Sequence, residues 1–270
     1  MAYRNLFISS SAKLTTQNNN LVVTNEVGHS IPLEDINSIM IESRQVNISS
    51  SLLSKVAENK ICLFICDEKH MPCGVMLPFN AHFKKLAVLE SQFNLLKPLK
   101  KNIWKQIVMQ KIENQAKVLE IMEIKSYETV ACIAKKVSSG DSENMEAVAA
   151  SKYFKLLFGK DFTRGQENGI NACLNYGYAI LRGMIARTLV VYGFEPSIGL
   201  FHKSKVNAFN LADDIIEVYR PIVDLYTIQN IEFIEPQNYL TPKLKQGIYN
   251  LINLNVISAG EKHSVTYAID

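Results

Sequence analysis

Cysteine is scarce in this chain and falls into no pairing pattern. Cys62, Cys66, Cys73, Cys132 and Cys173 are odd in number and scattered, which excludes a disulfide framework. Two readings stand for them: buried reduced thiols, and a zinc site made by Cys66, His70 and Cys73. No fourth ligand follows at finger-like spacing, and Pro72 with Gly74 marks a turn. A large charge excess is also lacking. The formal charge of +3 is too small to establish a nucleic-acid partner through field alone, so that claim rests on where the lysines sit. No apolar run reaches membrane length, and the start Met1-Ala-Tyr-Arg-Asn-Leu-Phe-Ile-Ser9 reads as a strand without the apolar stretch of a signal peptide. The expectation is a soluble cytoplasmic protein with no membrane partner. Repeats and low-complexity tracts are missing too. What remains is an ordinary globular composition, 47% hydrophobic and 20% charged over 270 residues, enough for one large core or two modest ones.

The pattern changes character along the chain. Short β-rich runs at residues 4–9, 12–16, 21–24, 36–41 and 61–66 are separated by polar turns such as Gln17-Asn18-Asn19-Asn20. One helix is expected among them, from the serines at 49–51 to Glu58, with serine at the cap. After Pro78 the periods lengthen, and residues 82–96, 98–136, 142–158, 166–192, 207–219 and 241–255 read as helices. The fold class is α+β: a small N-terminal β-rich domain at 1–76, a linker at 77–84, and a larger, mainly α-helical domain at 85–270. The tail Ala259–Asp270 is polar and loosely patterned, and it reads either as flexible or as ordering on a partner.

The residues able to do chemistry collect in the helical part. Gly199-Leu-Phe-His202 precedes Asn210-Leu-Ala-Asp-Asp-Ile-Ile-Glu217-Val-Tyr-Arg220-Pro221, so an imidazole stands before a helix that carries Asp213, Asp214 and Glu217. Upstream, Glu146 opens an alanine-rich helix in Gly140-Asp-Ser-Glu-Asn-Met-Glu146-Ala-Val-Ala-Ala-Ser-Lys-Tyr153. Two carboxylates and an imidazole can hold a divalent cation beside a phosphate. Read singly, His202 is sooner a structural histidine than a ligand, and Glu217 sooner an ion-pair partner of Arg220. Lys84, Lys85, Lys97, Lys100, Lys101, Lys105 and Lys111 cluster around Trp104, which suits either a phosphate backbone or a solvated helix face.

Three strings in order, Gly140 to Tyr153, Asn171-Ala-Cys-Leu-Asn175-Tyr-Gly-Tyr178-Ala-Ile-Leu-Arg182, and Gly199 to Pro221, resemble the CRISPR-associated spacer-acquisition integrase. The resemblance covers essentially the whole chain. Asn207-Ala-Phe-Asn210 after the histidine, with glutamate as the last acidic position, looks most like the type II members. The resemblance implies a metal-dependent DNA integrase and endonuclease that inserts foreign DNA fragments at a CRISPR repeat by transesterification from a 3′-hydroxyl. Glu146, His202 and Glu217 would be its catalytic Mg²⁺ or Mn²⁺ ligands; many members carry aspartate at the last of these positions. Asp214 would assist the metal or position DNA, with Asp213 a poorer candidate. Tyr153 and Tyr178 would brace bases or phosphates, unless they are core residues. Lys203 and Lys205 are the preferred phosphate contacts, with Lys97, Lys100 and Lys101 along the backbone. Arg182 and Arg187 would cap their helix or touch DNA. The implied partners are double-stranded DNA fragments, the repeat DNA, a second copy of the chain and a small dimeric adaptation protein. Two alternatives use the same features: a general metal-dependent nuclease on branched or single-stranded DNA, and a non-catalytic DNA-binding scaffold.

Overall fold

The short runs at the start of the chain become two four-stranded sheets. The computed structural model describes residues 3–79, 82–235, 239–258 and 260–270. The sheet strands are β1 (Arg4–Ile8), β2 (Ala12–Gln17), β3 (Asn20–Thr24), β4 (His29–Pro32), β5 (Ile36–Ile41), β6 (Val46–Ile48), β7 (Cys62–Cys66) and β8 (Pro72–Met76). One sheet has the order β1-β5-β7-β8 and the other β4-β3-β2-β6. Strand β5 is buried at every position, as a strand paired in parallel on both sides requires. The β2–β3 hairpin aligns Leu14 with Val23 and Thr16 with Leu21, and its turn places Asn18 and Asn19 at positive φ, which asparagine tolerates. The expected helix α1 (Ser50–Glu58) is present, with the Ser49 side chain accepting from the Leu52 N–H. Leu14, Leu21, Val23, Ile36, Ile39, Leu52 and Val56 share one core. Strands β4, β6 and β8 escape the sequence pattern. All three are sheet edges of only 4, 3 and 5 residues, too short to set up a readable alternation.

The helical part comprises α2 (Lys85–Phe93), α3 (Lys97–Ile121), α4 (Tyr127–Ala134), α5 (Met145–Phe158), α6 (Gly169–Val191), α7 (Asn210–Ile215), α8 (Arg220–Gln229), α9 (Ile231–Ile234) and α10 (Pro242–Tyr249). The chain ends in β9 (Asn255–Ser258), β10 (Glu261–Ser264) and α11 (Val265–Ile269). The α+β class holds. The expected helix at 98–136 breaks after Ile121, where Glu123 takes a positive φ of 57°. The expected 207–219 helix is only α7, tightened into a 3₁₀ turn at Ile216–Val218; α8 follows with a proline in its first turn. The expected 241–255 helix stops at Tyr249, followed by a 3₁₀ turn. The tail is built into the chain rather than loose: β10 pairs antiparallel with β9, and the Ser264 hydroxyl caps α11. Ala259 lies outside the described residues, as do Met1 and Ala2.

Two compact units result. One contains Met1–Leu86, Gly183–Phe194 and Ile252–Asp270; the other contains Ala87–Arg182 and Glu195–Leu251. The expected boundary at 77–84, of which 80 and 81 lie outside the described residues, follows chain order, whereas the first unit also takes in two later segments. Local periodicity carries no signal for such distant packing. Within the first unit, the backbone at Gly183 passes so close to β7 that a Cβ there would overlap the Phe64 ring, and the Cys62 thiol donates to the Gly183 carbonyl at 3.8 Å. Gly183→Ala is expected to destabilise by about 1–3 kcal/mol through overpacking, read as a lower urea midpoint. In the second unit, Trp104, Val108, Ile112 and Leu119 of α3 pack with Val130 and Ile133 of α4 and with Ala149, Tyr153 and Leu157 of α5. Among the described residues no helix is long and apolar enough to cross a membrane.

Candidate active site

Glu146 sits in the first turn of α5, and its position is fixed by Asp141, whose two carboxylate oxygens accept from the Met145 and Glu146 N–H groups at 2.8 and 3.0 Å. Glu217 lies in the 3₁₀ turn before α8, held to α3 by the Asn114 amide donating to the Val218 carbonyl at 2.7 Å. Between the two carboxylates stands the Lys111 ammonium, 2.5 Å from Glu146 Oε1 and 2.5 Å from Glu217 Oε2. Arg220 Nε reaches the other Glu217 oxygen at 2.9 Å. Burial pushes the Glu217 carboxyl up, but Lys111 and Arg220 outweigh it and hold the group below its ordinary range. Burial likewise pulls the Lys111 ammonium down, and Glu217 with Glu146 more than reverse that, raising it.

His202 is held by the buried carboxylate of Asp214. One Asp214 oxygen accepts from the Leu200 and Phe201 N–H groups at 2.5 and 3.2 Å; the other accepts from the His202 N–H at 3.0 Å and lies 2.8 Å from His202 Nδ1. The hydrogen bond to Asp214 raises the imidazole above its ordinary value, against the pull of burial and with help from the charges of Asp214, Glu217 and Asp213. Gly199 has no room for a side chain there, since a Cβ would fall on the His202 carbonyl and 2.8 Å from the Asp214 carboxylate. Asp214 therefore shapes the turn and aims the imidazole. Its sequence reading as a DNA contact is corrected by its complete burial.

Beside His202, Lys97, Lys100, Lys101 and Lys203 line one cleft of about 270 Å³ with Trp104, Leu200 and Phe201. The Phe201 and Trp104 rings stack at 4.3 Å, and Phe201 is half exposed. Lys205 is exposed outside that lining. Lys111, grouped with these lysines in the sequence, is buried instead. Tyr153 and Tyr178, read as bracing DNA, are also corrected. Both are buried, and both hydroxyls donate to Asp224, Tyr153 at 3.0 Å. Arg182 pairs with Asp213 and Asn207; Arg187, in the other unit, pairs with Asp270 and Asn37. Arg187 is buried, which corrects its reading as a DNA contact. The zinc alternative also finds no support: Cys73 bonds the Ile65 carbonyl, Cys66 faces Met40, and His70 pairs with Glu42. All five cysteines are free, with Cys73 and Cys132 exposed rather than buried.

Asp224 is the functional-looking residue that the pattern hid. Burial pushes its carboxyl up to about 6 from an ordinary 3.8, although the Tyr178 and Tyr153 hydroxyls and the nearby Arg220 and Arg164 charges favour the ionised form. Because the folded value lies above the unfolded one, the protonated form carries the stabilisation. It is full below about pH 4 and lost as pH rises through about 6, a change of about 3 kcal/mol. Asp224→Asn is expected to flatten that part of the stability profile in urea titrations; a constant offset from the wild type across this range would contradict the assignment.

Among the described residues no three His, Cys, Asp or Glu side chains stand close enough to share one ion, and at Glu146 and Glu217 the intervening cation is Lys111. The donor chemistry nevertheless suits a divalent ion: two carboxylates already converge on one cation, and the imidazole aimed by Asp214 lies within reach of the Glu217 charge. The helical unit thus carries an acidic pair, an aimed histidine and a lysine-lined cleft. Residues 6–239 match the family described as CRISPR associated protein Cas1, and the chain belongs to that family. It is 43% identical over 272 residues to the CRISPR-associated endonuclease Cas1 of Neisseria meningitidis serogroup C (strain 8013), covering 100% of this chain and 90% of the relative. A second relative, CRISPR-associated endonuclease Cas1 1 of Francisella tularensis subsp. novicida (strain U112), is 26% identical, with 83% and 77% covered. Among solved structures, a casposase bound to integration product superposes with a TM-score of 0.78 at 19% identity, covering 99% of this chain and 88% of that one. The Cas6-RT-Cas1--Cas2 complex gives 0.72 at 21% identity, covering 98% and 34%.

Proposed function

We propose that this chain is a metal-dependent DNA integrase and endonuclease of CRISPR adaptation, acting in the cytoplasm. The observation that carries the reading is the convergence of Glu146 and Glu217 on one cation, with His202 aimed by Asp214 beside a lysine-lined cleft. The endonuclease names of the relatives and the integration product in the casposase structure support it. Glu146, His202 and Glu217 would hold Mg²⁺ or Mn²⁺, which when bound supplies Lewis acidity at a phosphate oxygen. The chain's own residues do the rest. Lys97, Lys100, Lys101 and Lys203 lay the DNA backbone in the cleft, and the exposed Phe201 ring offers a base a stacking surface. Asp214 fixes the His202 ring so that its other nitrogen points away from the carboxylate. Arg220 keeps Glu217 ionised and in place.

The reaction is phosphodiester transesterification. The 3′-hydroxyl of an incoming DNA fragment attacks a phosphodiester at the edge of a repeat, one P–O bond forms as another breaks, and the proton lost by the attacking hydroxyl is balanced by protonation of the leaving 3′ oxygen. The chain acts as a homodimer with a small dimeric adaptation protein, a pairing supported by the Cas1–Cas2 complex among its structural neighbours. The test mixes purified chain and partner with labelled duplex bearing free 3′ ends, a supercoiled plasmid carrying a repeat, and Mn²⁺ or Mg²⁺. Label joined to plasmid, lost with chelator and in Glu146→Ala, is expected. Fragments without joining would indicate the general nuclease, and binding without either product the scaffold.

A further inference from the structure

Lys111 stands where an amphipathic helix normally places an apolar residue. It continues the inward stripe Trp104, Val108, Lys111 and Gln115 of α3 and is only 7% exposed. A lone ammonium at such depth would be costly by several kcal/mol, so its position is explained by its two carboxylate partners. Those partners are the two carboxylates assigned above to the divalent ion. The local charge is already balanced, with Glu146 and Glu217 facing Lys111 and Arg220. A divalent ion added to that quartet would leave two uncompensated positive charges in a buried place, while the same ion entering as Lys111 withdraws would leave one. Glu146 Oε1 and Glu217 Oε2 are also occupied geometrically, each 2.5 Å from the ammonium. The flexible four-carbon stem of lysine lets the ammonium withdraw without moving α3.

We infer that Lys111 is a positioning residue that competes with the divalent ion: its ammonium holds Glu146 and Glu217 together in the metal-free protein and leaves that place when the ion binds. The inference rests on the metal-site reading above. It makes metal loading a cation exchange within the protein, so affinity is tuned from α3, a helix that supplies no metal ligand. It also explains how Glu146 and the buried Glu217 stay close before any ion arrives.

The test is direct Mn²⁺ titration by calorimetry of the wild type, Lys111→Met and Lys111→Gln, the last retaining a neutral donor in case the first fails to fold. Removing a competing charge at contact distance is expected to tighten Mn²⁺ binding by about tenfold or more in each folded variant. Thermal melts in chelator should show both variants less stable than the wild type, with Mn²⁺ raising their melting temperatures by more than it raises that of the wild type. In the wild type itself, amine acylation read by peptide mass spectrometry should leave Lys111 protected without metal and labelled with saturating Mn²⁺. Equal or weaker Mn²⁺ binding in the variants, with normal binding by the wild type, would overturn the competition. Unchanged Lys111 protection in Mn²⁺-saturated wild type would overturn it as well. Absence of Mn²⁺ binding in all three proteins would instead overturn the metal-site reading, and the inference with it.

Discussion

Glu217→Ala is expected to abolish strand transfer and to lower stability by about 3 kcal/mol, because it leaves the buried Lys111 ammonium with Glu146 alone and removes the partner of the half-buried Arg220. Those two effects have separate causes, and Glu217→Gln separates them. The amide preserves the volume and can still accept from one cation, so urea denaturation should show a smaller loss than for alanine, while strand transfer remains absent for want of a carboxylate ligand. Duplex binding, measured by fluorescence anisotropy, should survive in the folded glutamine variant, since the lysines of the cleft do not depend on Glu217. Near-normal strand transfer by Glu217→Gln would remove Glu217 from the ligand set.

Asp214→Ala has the second large effect. Its carboxylate is the common acceptor for three consecutive backbone N–H groups and the His202 imidazole, and bonds to a charged acceptor contribute about 1.5–3 kcal/mol each without adding fully. A loss of about 3–5 kcal/mol in urea titrations is therefore expected, with the Gly199–His202 turn losing its shape. Asp214→Asn keeps the volume but loses charge and one acceptor position. It should fold, bind DNA through the same lysines, and lose about 10–100-fold in metal affinity and strand transfer, as outer partners of a metal-bound histidine typically do. An asparagine variant with unchanged Mn²⁺ affinity would show that the imidazole needs no such support.

Much of this was legible in the residues. The serine cap before Leu52, the isoleucine-rich run Ile36–Ile41 and the alanine-rich start of α5 each carry a local physical signal, and each gave the element found. Glu146, Glu217 and His202 stand out in the sequence as chemistry-bearing side chains, and the fold brings the two glutamates onto one cation. What stayed hidden depends on contacts across sequence distance. Lys111 looked like one more lysine near Trp104, although its seven-residue spacing from Trp104 places it on the apolar stripe of α3; that spacing was the available clue. Asp224 lies in Val223-Asp-Leu225, an acid within an apolar run, which is the usual mark of a buried partnered carboxylate. Tyr153 and Tyr178 lie 25 residues apart on different helices, and no local pattern shows that they share Asp224.

The claim that Glu146, His202 and Glu217 together hold a catalytic divalent ion is tested most directly by pulsed electron paramagnetic resonance on the protein loaded with one equivalent of Mn²⁺. The account predicts a nitrogen coupling from a single imidazole in the wild type, lost in His202→Gln and kept in Lys111→Gln. Bound Mn²⁺ without that coupling in the wild type, or with a coupling that survives in His202→Gln, would contradict it.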